Sequence, residues 1–357
     1  MHGYPTRLGA LMKPSTIEWI LNLTKRLESG ADRLIIDGDT HVTDVQSFIR
    51  SRGAENPLID CRYYHGRPIT AEELLAEMAM SEIDMALIWQ NPAATPYEGD
   101  QESNSRSLLA ANQYIQRCAK QYPERFIPAG WVDPKSCGVQ NSLSIVATLV
   151  REFGFVIIKM NPAQNGYPIN SPDALTLVDR IVSLGAVPAF HVGADSPYTP
   201  ADGLRQVAER HPDYPIIAIH MGGGGASYEA AEGLYRDVES LGLEHPNVRH
   251  ILSAMRDTYI EDAFISYQLA GEPFCYNLFC GSDAPYGRQS WNFGGFRAML
   301  QTLMNAEEHP SSRLRNQREL FTPQVAQNYL GGNLARFLVS SYNRLLDVNK
   351  GDPTACR

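Results

Sequence analysis

Short apolar runs that end in polar residues recur along the chain, each separated from the next by enough residues for a helix. They are Arg33–His41, Met85–Trp89, Phe126–Trp131, Phe155–Met160, Val187–His191, Ile216–His220, Val248–Leu252 and Tyr276–Asp283. Runs this short and continuously apolar read as buried strands of a parallel sheet. The stretches between several of them, such as Leu108–Tyr122, Asp173–Leu184, Gly203–His211 and Tyr228–Leu241, carry apolar residues at helical spacing. Eight strand candidates alternating with helices predict an α/β architecture, and we read it as a (β/α)8 TIM barrel. A doubly wound open sheet would show the same alternation. Its phosphate-binding signature is missing, because Gly222–Gly225 lacks GxGxxG spacing and lies in the middle of the chain. Those glycines read instead as a sharp turn or a close backbone approach beside the strand end.

Before the first run, Ser15 and Glu18 are spaced as a capping box, Ile17, Ile20, Leu21 and Leu27 form an apolar face, and Gly30 ends the helix. This helix precedes the first strand and reads as an added cover. After the first run comes a long loop carrying Arg62, Tyr63, Tyr64, His65 and Arg67, up to a second capping box at Thr70 and Glu73. Connections of that length are often binding loops or lids. No repeat, low-complexity tract or Pro/Gly linker divides the rest. The expected organisation is an extension with a helix over 1–32, a barrel domain over 33–345 and a tail over 346–357.

Composition narrows the partners. Hydrophobic residues at 43% and charged residues at 20% of 357 are the balance of an ordinary globular protein. A net charge of -9 with no basic stripe argues against nucleic acid. The longest apolar stretches fall short of the roughly 20 residues a membrane span needs, and the N-terminus lacks the basic-then-apolar layout of a secretory signal. A cytoplasmic protein with no membrane partner is expected. Six cysteines without CxxC spacing read as reduced, mostly buried thiols.

The polar residues that terminate the apolar runs carry the chemistry. Asp39 and His41 end the first, His191 the fifth, His220 the sixth and Asp283 the last. In a parallel barrel all of these ends meet at one mouth. Any one of them has a structural reading, as a helix cap, a turn residue or a hydrogen-bonded core histidine. Together they would carry a desolvation cost of at least about a few kcal/mol unless something pairs them, and a divalent cation would. Residues two apart on a strand share a face, so Asp39 and His41 can grip one ion. Mixed imidazole and carboxylate donors suit zinc, manganese or iron better than magnesium or calcium.

In their order, Ile36-Asp37-Gly38-Asp39-Thr40-His41, Lys159-Met-Asn-Pro162, Phe190-His191-Val-Gly193, Ile219-His220-Met-Gly-Gly223 and Gly281-Ser282-Asp283-Ala-Pro285 resemble the amidohydrolase superfamily. The likeness is to the branch that includes aminocarboxymuconate-semialdehyde decarboxylase and resorcylate decarboxylase. It runs from about residue 33 to about residue 338, with Tyr122-Pro-Glu-Arg-Phe126 and Pro246-Asn-Val248 inside it. The resemblance implies one divalent transition metal per chain, zinc foremost with manganese or iron as alternatives, held by Asp39, His41, His191 and Asp283. His220 would act as acid/base beside the metal-bound water or the substrate, with Asp283 sharing that proton chemistry. Asp39 stands where an H-x-H motif is commonest. Lys159 lies near the place where another branch bridges two metals with a modified lysine, and reads here as a structural or site-lining cation.

The expected activity is nonoxidative decarboxylation of an aromatic or unsaturated carboxylic acid. The alternatives are hydrolysis of a lactone, ester or amide by metal-activated water, and a noncatalytic barrel that binds a small molecule. Arg62, Arg67 and Arg256 are candidates for holding a small carboxylate substrate. A homodimer is expected from the resemblance.

Overall fold

The computed structural model describes residues 18–29, 33–56, 66–224, 228–305, 309–315, 317 and 319–351. Arg62, Tyr63, Tyr64 and His65, together with Ser15, Ile17, Gly30, Gly225, Cys61 and Cys356, lie outside the described residues.

The apolar runs fold as strands β1 (Ile36–Val42), β2 (Met85–Gln90), β3 (Phe126–Pro128), β4 (Gly130–Trp131), β5 (Ile157–Met160), β6 (Val187–Gly193), β7 (Ile216–Gly224), β8 (Val248–Leu252) and β9 (Leu278–Cys280). Every ladder is parallel, in the orders β1-β2-β3 and β4-β5-β6-β7-β8-β9. β3 and β4 are one barrel stave interrupted at Ala129. On the far side the ring closes through a parallel bridge between Thr40 and Ala284, where the His41 amide donates to the Ala284 carbonyl at 2.6 Å and the Asp283 amide to the Asp39 carbonyl at 2.9 Å. The result is an eight-stave parallel barrel with its helices outside.

Strand limits differ from the sequence pattern in instructive ways. The third run is split because its ladder with β2 ends where the Ala129 amide donates to the Ile88 carbonyl at 3.0 Å. The last run is strand only over Leu278–Cys280, since Phe274–Tyr276 winds into a 3-10 turn. β7 extends through the glycines to Gly224. Gly222 takes φ +78°, and a Cβ there would lie 2.8 Å from the Leu234 carbonyl, so the strand end turns sharply against the helix Tyr228–Glu244. The long connection after β1 also contains a helix, Val45–Arg52, started by the Asp44 side chain accepting from the Ser47 amide. Only Phe48 of that helix is buried, which is why no apolar period announced it.

The Thr70–Glu73 capping box forms with both reciprocal bonds, Glu73 amide to Thr70 Oγ1 at 3.2 Å and Thr70 amide to Glu73 Oε2 at 2.8 Å. The helix Glu18–Glu28 buries Trp19, Ile20 and Leu23, with Trp19 edge-on to Tyr342 of the terminal helix Asn333–Gly351. No helix among the described residues is long and apolar enough to cross a membrane.

Candidate active site

The carboxyl ends of the strands surround a cavity of about 470 Å³. His41, His191, His220 and Asp283 line it, as do Trp131, Lys159, Asn161, Gln164, Asp195 and Tyr286. Ligand atoms of Asp39, His220 and Asp283 all lie within 4.8 Å of one another. His41 Nε2 joins them at 3.3 Å from Asp283 Oδ1 and 3.7 Å from Asp39 Oδ1. Both imidazoles are oriented from behind. His41 Nδ1 meets the Gln90 carbonyl at 2.8 Å and His220 Nδ1 meets the Ser253 carbonyl at 2.9 Å. Because a carbonyl can only accept, each Nδ1 carries a proton, and each Nε2 is the ring nitrogen left for the site.

Asp39 is fully buried and accepts from Trp89 Nε1 at 2.7 Å, Ser253 Oγ at 2.7 Å and Lys159 Nζ at 3.3 Å. Burial opposes its ionisation, but Lys159, His220, His41 and the Ser253 hydroxyl outweigh burial and hold its carboxyl well below the usual range. Lys159 is itself buried, with its ammonium 4.5 Å from the Trp89 ring centroid and 5.0 Å from that of Trp131. The two aromatic faces and the Asp39 carboxylate together compensate the buried cation. Burial, and then the neighbouring His191, push the His220 imidazole down, against the opposing pull of Asp283 and Asp39.

His191 occupies the same wall but turns elsewhere. Its ring centroid is 4.6 Å from that of His220, while its Nε2 sits 3.0 Å from Asp195 Oδ1. A Cβ at Gly193 would come within 2.9 Å of Asp195 Oδ1 and 3.0 Å of His191 Nε2, so glycine there is what permits the pair. The loop arginines lie elsewhere: Arg67 pairs with Glu73 at 3.1 Å, and Arg256 packs its guanidinium 5.5 Å from the Tyr259 ring in a separate depression. Neither lines the cavity.

Backbone strain gathers at this mouth. His220, Ala254 and Asp283 adopt φ of +71°, +51° and +57°, left-handed conformations that cost non-glycine residues on the order of 1–3 kcal/mol each. Several participants escaped the sequence reading. Ser253 directly follows β8, so the strand-end rule that picked out the histidines applies to it equally. Asp195 lies four residues past His191. Asp37, just before the Asp39–His41 pair, anchors the last strand end by accepting from the Ser282 amide at 2.9 Å and from Gln289 Nε2 at 2.9 Å.

Residues 36–301 match the family described as Amidohydrolase. No curated protein matches the chain. Among solved structures, 5-carboxyvanillate decarboxylase from Sphingomonas paucimobilis is similar at TM-score 0.61 and 15% identity, covering 85% of this chain and 98% of that one. A 5-carboxyvanillate decarboxylase from Novosphingobium aromaticivorans, complexed with manganese and 4-hydroxy-3-methoxy-5-nitrobenzoic acid, has TM-score 0.59 and 17% identity over 86% and 96%. A 2,6-dihydroxybenzoate decarboxylase from Rhizobium has TM-score 0.58 and 14% identity over 81% and 98%. Likeness at such identity is likeness of fold. The family match reaches further, because it spans most of the barrel and contains all five strand-end residues, and on that ground the chain belongs to the amidohydrolase family, as an enzyme of that metal-dependent superfamily.

Proposed function

We propose that the chain is a metal-dependent nonoxidative decarboxylase of a small aromatic or unsaturated carboxylic acid. The observation that carries this reading is the cavity, where His41, His191, His220 and Asp283 line a space walled by Trp131 and Tyr286, with Asp39 within 4.8 Å of His220 and Asp283. The donor set fits a divalent transition ion: ligand atoms of Asp39, His220 and Asp283 lie within 4.8 Å of one another, and mixed carboxylate and imidazole donors suit such an ion. We assign Asp39, His41, His191 and Asp283 as the residues that would hold the ion, with manganese, zinc or iron as the metal. When bound, the cation supplies a Lewis acid that attracts an anionic substrate and takes up negative charge.

The chain's own residues do the rest. Trp131 and Tyr286 flank a flat substrate, and Asn161 and Gln164 offer neutral hydrogen bonds to its polar groups. His220 Nε2 and the Asp283 carboxylate handle the proton. The bond between the carboxylate and its carbon breaks, carbon dioxide leaves, and that carbon gains one proton. The three solved structures named above are decarboxylases, which supports this choice over hydrolysis.

The test is a panel of hydroxybenzoates, unsaturated dicarboxylates and lactones given to the metal-loaded protein, with carbon dioxide detection beside base titration. Carbon dioxide release from an acid, faster than any lactone opening, is expected. Metal-dependent acid release from a lactone or ester, with no decarboxylation across the acids, would move the assignment to hydrolase.

A further inference from the structure

At the opposite end of the barrel, a depression of about 730 Å³ lies among the loops that lead into β7, β8 and β9 and the helix Asn333–Gly351. Three arginines line it: Arg249 from β8, and Arg336 and Arg344 from the helix. Among the described residues, none of the three forms an ion pair with a carboxylate. Asp213, exposed at the rim, is the only acid in the lining. In a chain with a net charge of -9, three cations beside a single acid are not a consequence of composition.

The groups are also positioned. Arg344 lies 4.7 Å from the Tyr214 ring centroid and Arg336 6.0 Å from that of Tyr276, so aromatic faces hold both guanidinium planes. Arg336 is further fixed by Asn328 and Asn333, each at 2.9 Å. Arg249 donates to the Pro246 carbonyl. Burial, and then the charge of Arg344, push the Arg249 guanidinium down to about 10. Two donors remain without partners: Arg344 Nη1, sealed from solvent, and the hydroxyl of Ser341, a residue only 1% exposed. Unpaired buried donors are costly, and forked guanidinium N–H groups match the oxygens of phosphate and carboxylate.

We propose that this depression binds a small multivalent oxyanion, a phosphate- or polycarboxylate-bearing molecule, held by the guanidinium groups of Arg344 and Arg249 with Arg336 at the rim. The volume is that of an ordinary small-molecule site. It lies apart from the proposed metal centre, so its occupant is a second ligand rather than the substrate.

Isothermal titration of the full-length, metal-loaded protein with inorganic phosphate and with tricarballylate tests this, using sodium chloride at matched ionic strength as the control. One saturable site for at least one of the two anions is expected, weakened at least tenfold in Arg344→Gln and at least threefold in Arg336→Gln. The preferred anion identifies the ligand class. Arg336 is exposed, so its variant keeps the test available if Arg344→Gln fails to fold. The proposal is overturned if neither anion binds saturably, or if a folded variant binds as tightly as the wild type, which would place binding in the metal cavity.

Discussion

At His220 and His191, two rings packed edge to face reach for the same space but are held by different partners. His220 is anchored through Nδ1 to the Ser253 carbonyl, and His191 leans on Asp195. Under the proposed assignment, His191→Ala lowers metal content, while His220→Asn keeps most of the metal and loses turnover by about a hundredfold or more. Elemental analysis beside kinetics reads both; equal metal loss in the two variants would make His220 a ligand. A third histidine, His250 on β8, contributes to acid sensitivity. Burial, and then nearby Arg249, push its imidazole down to about 3. The unfolded chain therefore takes up a proton there below about pH 6.5 while the folded chain does not, so this contribution to stability falls as pH drops from about 6.5 to about 3. The full effect is on the order of 5 kcal/mol. Urea unfolding of wild type and His250→Gln at pH 7.5, 6.0 and 5.0 should show a shallower pH slope in the variant.

Among elements, the break between β3 and β4 has the widest consequences. Where the ladder with β2 stops, the next carbonyl on β2, that of Gln90, becomes available and accepts from His41 Nδ1. Trp131 turns instead to Asn112 on the helix Gln101–Gln121, whose Oδ1 accepts from the Trp131 amide at 2.8 Å and whose Nδ2 donates to its carbonyl at 3.0 Å. A helix side chain thus replaces a missing strand neighbour beside the cavity. Asn112→Ala leaves both backbone groups buried without partners, and about 2–4 kcal/mol of stability should be lost. A lower urea midpoint with an unchanged m-value is the expected result. An unchanged midpoint would show that water reaches Trp131.

For the whole molecule, metal and folding should be linked. The proposed ligands come from β1, β6 and the segment that closes the barrel after β9, regions far apart in sequence, so an unfolded chain offers the ion no comparable site. Free metal at a hundred times its dissociation constant should add about 2.7 kcal/mol and raise the melting temperature by a few degrees. One ion per chain is expected at saturation. Two tightly bound ions, with a modified Lys159 between them, would defeat the single-metal assignment; Lys159 in the structure faces Asp39 and two tryptophan rings.

What the sequence by itself determined is what is written locally. Apolar runs of a few residues with polar ends, alternating with helices, specify parallel strands and the mouth to which Asp39, His41, His191, His220 and Asp283 are delivered, because side-chain alternation is local and each intervening helix returns the chain in the same direction. The Thr70–Glu73 cap is local in the same sense. Tertiary structure decided which way each delivered group faces. His191 turned to Asp195 within a space left by Gly193, Lys159 sank between Trp89 and Trp131, Ser253 tied Asp39 to His220, and Arg256 went to a different depression. Those outcomes depend on atoms brought together from remote parts of the chain, where a few ångströms of packing and the cost of an unpaired buried charge select among rotamers that the sequence pattern leaves equivalent.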